Sequence, residues 1–254
     1  MTLPTVFLDR PVAHRGLHDR SKGIIENSLS AFKAAIDAGY GIELDLQLSF
    51  DAQAMVFHDY DMARLTGESG PIQTRTAETV RGMTLSDSTD TIQDLATVLE
   101  LVDGRVPLLI ELKDQDGAMG PNIGPLERAV ADALSTYQGD AAVMSFNPNS
   151  TAMMATLAPD RPRGLVTDAF DPSKWAPVPA KMCKRLRDIP DYDSSKACFI
   201  SHDVEDLNRP RVAELKAQGA TILCWTVKSP AEEAQARKIA DNITFERYLA
   251  PFPA

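Results

Sequence analysis

Long hydrophobic runs, paired cysteines and an excess of positive charge are all missing from this sequence. No apolar stretch approaches the roughly 20 residues that span a bilayer. Met1 to Val12 also lacks the basic region and apolar core of a secretion signal, so a cytoplasmic protein with no stable membrane anchor is expected. The three cysteines, Cys183, Cys198 and Cys224, are odd in number and widely spaced, with no CxxC pair. That pattern argues against a disulfide framework or a cysteine zinc cage and leaves buried free thiols. Lys and Arg number 26 against 36 Asp and Glu, a formal charge of -10. Such a balance repels nucleic-acid backbone and anionic lipid surfaces, so no nucleic-acid partner is expected. Neither a GxGxxG turn nor a P-loop follows the first apolar run, which removes the usual nucleotide-binding signatures. Internal repeats and low-complexity tracts are also missing.

What is present is an ordinary globular composition, 44% hydrophobic and 24% charged over 254 residues, enough to bury a core. Short apolar runs alternate with helical patterns. The runs are 11–13, Gly41 to Leu48, Ala54 to Phe57, Pro107 to Leu112, Ala141 to Phe146, Arg163 to Val166, Ala197 to Ile200 and Thr221 to Trp225. Between them Asn27 or Ser28 caps a helix that Gly39 ends, and further helices are expected over 92–102, 125–137, 149–157, 211–218 and 231–240. Alternation of this kind predicts βαβ units and a parallel sheet. Eight candidate strands are the number at which such a sheet closes into a barrel, with an open doubly wound sheet as the alternative. Two connections, 60–88 and 170–196, are longer than the rest; long loops on the active face of a barrel often cover substrate.

The polar residues follow a positional rule. Val12-Ala13 leads to His14-Arg15-Gly16, Met55-Val56-Phe57 to His58-Asp59, and Leu108-Leu109-Ile110 to Glu111-Leu112-Lys113. In the strand Gly41 to Leu48 the period of two puts Glu43, Asp45 and Gln47 on one face. Taken alone, that strand is an edge with one wet face. The other runs are apolar on both faces until their C-terminal ends, where charge appears, and in a barrel those ends gather at one mouth. Burying each charge separately would cost several kcal/mol apiece, so one shared site is the economical arrangement.

Three carboxylates, Glu43, Asp45 and Glu111, suit a hard divalent cation, Ca²⁺ or Mg²⁺, more than zinc, since the histidines are few and scattered. With Arg15 and Lys113 beside them the pocket keeps one negative charge, and a divalent ion makes it singly positive, matched to a phosphodiester. Metal dependence is therefore expected.

The same residues resemble the glycerophosphodiester phosphodiesterase family, in the set His14-Arg15-Gly16, Glu26-Asn27-Ser28, Glu43-Leu44-Asp45, Phe57-His58-Asp59, Arg64-Leu65-Thr66, Glu111-Leu112-Lys113, Ser145-Phe146 and Trp225-Thr226-Val227. The resemblance runs through nearly the whole chain and is closest to cytosolic bacterial members. It implies a single (β/α)8 TIM barrel of the phospholipase C-like phosphodiesterase type over residues 1–254. It also implies metal on Glu43, Asp45 and Glu111, His14 and His58 as the acid-base pair, and phosphate on Arg15 and Lys113. Trp225, at the end of the eighth candidate strand, would wall the substrate pocket. Three departures from the family pattern stand out: Ser28 in place of Thr, Lys228 where Asn often follows, and Thr244-Phe245-Glu246 in place of Thr-Asp-x-Pro. The last two bear on substrate preference more than on chemistry.

The expected reaction is hydrolysis of a small-molecule glycerophosphodiester to an alcohol and glycerol 3-phosphate. His14 is provisionally the base and His58 the acid, with water or the glycerol 2-hydroxyl as nucleophile. A lysophospholipase D-like enzyme using the same residues and a catalytically inactive phosphodiester-binding barrel are the competing readings. His18 is a weaker candidate for the mouth, His202 is expected in a loop, and the basic stretch Lys181 to Arg187 on a solvated helix face. Glu26 and Asn27 either line the site or are explained by Asn27 capping the helix. The sequence leaves the oligomeric state, the native metal and the released alcohol open.

Overall fold

The computed structural model describes residues 1–253. Among the described residues nine strands occur, β1 (Val12–Ala13), β2 (Gly41–Leu48), β3 (Ala54–Val56), β4 (Leu108–Leu112), β5 (Ala141–Ser145), β6 (Arg163–Thr167), β7 (Phe199–Asp203), β8 (Thr221–Val227) and β9 (Asn242–Phe245). Eight of them are parallel and run β1-β9-β8-β7-β6-β5-β4-β2, and the pairing of β1 with β2 closes the ring. The fold is a (β/α)8 barrel. Around it lie α1 (Leu29–Ala38), α2 (Ala63–Thr66), α3 (Ala77–Arg81), α4 (Leu95–Val102), α5 (Pro125–Leu134), α6 (Pro148–Leu157), α7 (Ala180–Leu186), α8 (Pro210–Ala217) and α9 (Pro230–Ala236). Among the described residues no helix is long and apolar enough to cross a membrane.

Eight strands were expected and eight close the barrel, but they are not the same eight. Ala54–Val56 is not a barrel strand: it pairs antiparallel with the end of β2, Leu46 opposite Val56 and Leu48 opposite Ala54. The reason is the connection. Only Ser49 to Gln53 separate the two strands, room for a hairpin but not for the crossover of a dozen or more residues that a parallel pair requires. The eighth barrel strand is instead Asn242–Phe245, which runs parallel to both β8 and β1, so Trp225 lies on the seventh.

The alternation along each strand sorts the core into two layers. Ile42, Leu44, Leu46, Leu108 and Ile110 face outward onto the apolar sides of α1, α4 and α5. Val12, Leu109, Ala142, Met144, Val166, Phe199 and Leu223 fill the interior, with Leu3 and Phe7 of the N-terminal segment packed against them. Gly164 is needed in that layer, because a Cβ there would sit 2.3 Å from Phe199 Cε2. An apolar interior at one end leaves the polar side chains only the other end, where β2 and β4 finish.

Candidate active site

Register delivers the acids. Asp45 of β2 lies directly opposite Glu111 of β4, and Glu43 lies two residues earlier on the same face of β2. All three are buried, and one oxygen from each falls within 4.8 Å of the others. Lys113, two residues past Glu111 and so on the same face, places its ammonium 2.7 Å from Asp45 Oδ1 and 2.6 Å from Glu111 Oε1.

The short β1 and the hairpin strand β3 explain how both histidines reach these acids. β1 pairs only with Gly41 and Ile42 at the start of β2, whereas β3 takes Leu46 to Leu48 at its end. The edge of β2 between them is where the chain leaves β1 as His14 and leaves β3 as His58, and Phe57 N donates to Asp45 O at 3.0 Å. His14 Nε2 lies 4.0 Å from Glu43 Oε2. Each imidazole is tied through Nδ1 to a carboxylate, His14 to Glu246 at 2.8 Å and His58 to Asp59 at 2.7 Å.

The turn after β1 is held in unusual backbone geometry. Arg15 and Asn27 both have φ of 56°, a left-handed conformation that non-glycine residues adopt only where surrounding contacts enforce it. Those contacts are visible: Arg15 N donates to Glu43 Oε2 at 2.9 Å, and Asn27 N donates to Arg15 O at 2.9 Å. Gly16 follows with φ of 80°, so close to α1 that a Cβ would lie 2.9 Å from Ala31. Ser28, not Asn27, caps α1, its Oγ accepting from Ala31 N. Asn27 is released for the site, donating from Nδ2 to Asp45 Oδ2 at 2.8 Å.

Arg15 Nε approaches Asp45 Oδ2 at 3.2 Å, and its NH1 donates to Glu26 at 2.6 Å. Arg64 then bridges Glu26 and Asp59, linking the two rims of the site through one guanidinium network.

Electrostatics follow from burial and crowding. Burial, reinforced by the neighbouring Asp45 and Glu111 charges, pushes the Glu43 carboxyl well above the usual range. Burial also raises Glu111, against the pull of Lys113. Asp45 goes the other way: burial would raise it, but Lys113, His58 and Arg15 outweigh that and hold it low. Burial pushes His14 down to about 4, so its imidazole is neutral near pH 7 despite Glu246. Three converging buried acids, one of them unable to ionise comfortably beside the others, form a donor set that a divalent cation would relieve.

These groups line one cavity of about 230 Å³, together with Met144, Phe146, Val166, Trp175, Ser201, Trp225 and Thr244. A more open surface groove of about 540 Å³, bordered by Ala52 to Ala54 and by Arg128, Ala129 and Asp132, gathers no comparable set of charges. The cavity thus collects His14, His58, Arg15, Lys113, Trp225, Glu43, Asp45 and Glu111, all eight residues singled out in the sequence.

The model of the glycerophosphoryl diester phosphodiesterase family matches residues 14–243. The chain belongs to this family. It is a phosphoric diester hydrolase of the glycerophosphodiester phosphodiesterase type. YhdW of Bacillus subtilis is 27% identical over 233 residues, covering 88% of each chain. A glycerophosphodiester phosphodiesterase of Caldanaerobacter subterraneus is 32% identical over 165 residues, 61% of this chain and 65% of that relative. Among solved structures, an Oleispira antarctica phosphodiesterase in complex with the product sn-glycerol-3-phosphate superposes with a TM-score of 0.76 at 21% identity, covering 94% of this chain and 93% of that one. At that identity the match speaks for the fold alone.

Outside this constellation the expected placements are met only in part. His202 is not in a loop: it lies on β7, fully buried, with Nδ1 2.7 Å from Thr167 Oγ1 and Nε2 3.2 Å from Asp206. His18 stays outside the cavity lining, 3.7 Å from Glu246. Lys181, Lys184 and Arg185 are exposed on α7. Four residues at or beside the cavity were given no role from the sequence, although Phe146 and Glu246 stood in the motifs compared. Glu246 lies past β9, itself unrecognised. Trp175 comes from the long 170–196 connection, where nothing local marks it. Phe146 directly follows β5, the position that other site residues share, and that was the available signal; Ser201 lies in the middle of β7.

Proposed function

We propose that this enzyme hydrolyses small glycerophosphodiesters to an alcohol and glycerol 3-phosphate by metal-assisted acid-base chemistry. The observation that carries the proposal is the meeting, at one cavity, of three buried carboxylates with two imidazoles, His14 with its Nε2 4.0 Å from Glu43 Oε2 and His58 beside it in the lining.

Glu43, Asp45 and Glu111 would hold a divalent cation, Ca²⁺ or Mg²⁺ by their all-oxygen chemistry. When bound, such an ion neutralises charge that builds on the phosphoryl oxygens. The side chains do the rest. Arg15 and Lys113 bind the phosphate's remaining oxygens through charge-assisted hydrogen bonds. His14, neutral because it is buried, accepts the nucleophile's proton at Nε2, whether that nucleophile is water or the glycerol 2-hydroxyl. His58, its Nδ1 bonded to Asp59, protonates the departing alkoxide. Phe146, Trp175 and Trp225 add aromatic surface to the same cavity lining, where they would exclude bulk water from the reacting phosphorus.

The family and the glycerol 3-phosphate product held by the Oleispira neighbour support this substrate class. The test is incubation of purified protein with glycerophosphocholine, with and without chelator, following glycerol 3-phosphate by a coupled assay. Release that stops on chelation and returns with calcium or magnesium is expected. Binding without turnover in every divalent metal, or turnover of lysophospholipids alone, would refute it.

A further inference from the structure

The eighth barrel strand brings an acid to the back of His14, and no part of the reaction described so far requires it. β9 pairs with β1 in the register Ala13 opposite Phe245, so the next residues, His14 and Glu246, emerge side by side at the same mouth. Backbone bonds continue the ladder past both strand ends: His14 N donates to Phe245 O at 2.9 Å, and Glu246 N donates to Val227 O at 3.0 Å. The two Cα positions are therefore fixed by sheet geometry rather than by a loop. Glu246 Oε2 then lies 2.8 Å from His14 Nδ1. Lys228 at 3.9 Å and Arg247 at 3.2 Å hold the other oxygen, and only 12% of the side chain is exposed.

We propose that Glu246 is the positioning residue for His14, fixing the ring so that Nδ1 carries the hydrogen and Nε2 offers its lone pair to the cavity. A neutral imidazole has one donor nitrogen and one acceptor nitrogen, and the partner at Nδ1 decides which is which. An ionised carboxylate only accepts, so it selects the Nδ1–H form. In water the opposite form, with hydrogen on Nε2, prevails, and that form has no lone pair to offer at the cavity. The arrangement mirrors Asp59 on His58, with the acid supplied from the far end of the chain.

His14, His18 and Glu246 also offer atoms within 4.8 Å of one another, and His18 Nε2 is buried with no hydrogen-bond partner. A zinc ion held by the three is the rival arrangement. Tetrahedral ligands at zinc bond lengths lie about 3.4 Å apart, so the spread and the direct 2.8 Å contact of His14 with Glu246 favour the hydrogen bond.

The inference rests on the proposed hydrolysis for its catalytic meaning, but its structural core can be tested without turnover. The chain has only four histidines, so imidazole ¹⁵N spectra can be assigned by comparison with H14A. The wild type is expected to show His14 with hydrogen on Nδ1 near neutral pH, and E246A to shift it toward the Nε2–H form. In the hydrolysis assay E246A and the isosteric E246Q are expected to lower kcat by about 10- to 100-fold with KM changed less than about twofold, and E246D to recover part of the loss. An unchanged His14 tautomer in folded E246A would overturn the proposal even if the enzyme hydrolyses as expected. So would cobalt bands of tetrahedral type that appear in wild type and vanish in H18A. An inactive wild type with the expected tautomer shift would instead sink only the reaction.

Discussion

Replacing Lys113 with methionine should move metal binding and catalysis in opposite directions. Its ammonium lies 2.7 Å from Asp45 Oδ1 and 2.6 Å from Glu111 Oε1, so it occupies oxygens that an ion would also need. An ion among the same carboxylates would sit roughly 4 Å from the ammonium. At an effective dielectric near 20, the repulsion between the single and double charge is about 8 kcal/mol as an upper bound. Swinging of the long side chain and water entry relieve most of it. If about 2 kcal/mol survives, K113M should bind Ca²⁺ or Mg²⁺ roughly 30-fold more tightly. The same substitution removes a charge-assisted donor to the phosphate worth about 1.5–3 kcal/mol, so kcat/KM should fall by roughly 10- to 100-fold at saturating metal. Isothermal titration calorimetry reads the first effect and steady-state glycerol 3-phosphate release the second. Weaker or unchanged metal binding in folded K113M would refute the idea that lysine and ion compete for Asp45 and Glu111.

H14A and H58A should each lower turnover by about two to four orders of magnitude while leaving the fold intact by circular dichroism; near-normal rates in both would remove the acid-base assignment. Glu26 connects to pH. Burial would raise its carboxyl, but Arg64 and Arg15 outweigh burial and hold it at about 2, against an ordinary 4.5. A depressed folded-state value means stability that is present above pH 4.5 and lost as pH falls toward 2. Allowing for the exposed side of Arg64, the loss should be about 2 kcal/mol. Urea midpoints at pH 5 and pH 3 should therefore differ less in E26Q than in wild type. G164A forces a Cβ to within 2.3 Å of Phe199 Cε2, and such overpacking should cost about 1–3 kcal/mol. A melting temperature unchanged from wild type would show that the ring moves aside freely.

The site was more legible in the sequence than the barrel that carries it. Charge confined to strand ends is a strong signal because an apolar interior admits it nowhere else, and His14, His58, Glu111 and Lys113 were found that way, whereas Glu43 and Asp45 were found by the period of two within their strand. Asn242–Phe245 was missed for the converse reason: Asn242 and Thr244 are polar yet buried. Asn242 Nδ2 is satisfied by Phe7 O at 2.7 Å and Arg10 O at 2.6 Å, partners more than 200 positions away. Glu246 was passed over with it, noticed only as a departure from a motif. The hairpin Ala54–Val56 was a different failure, since the five intervening residues already excluded a parallel crossover. Trp175 had no local signature at all. Its indole is fixed by contacts with Asp168 and by the rings of Phe146 and Phe170, which only the folded chain assembles.

A crystal structure of the protein with calcium and glycerol 3-phosphate tests the account most directly. One ion bonded to oxygens of Glu43, Asp45 and Glu111 at about 2.3–2.6 Å is expected, with phosphate against Arg15 and Lys113 and the Nε2 atoms of His14 and His58 facing the phosphorus. An ion bound elsewhere, or phosphate seated away from both imidazoles, would contradict it.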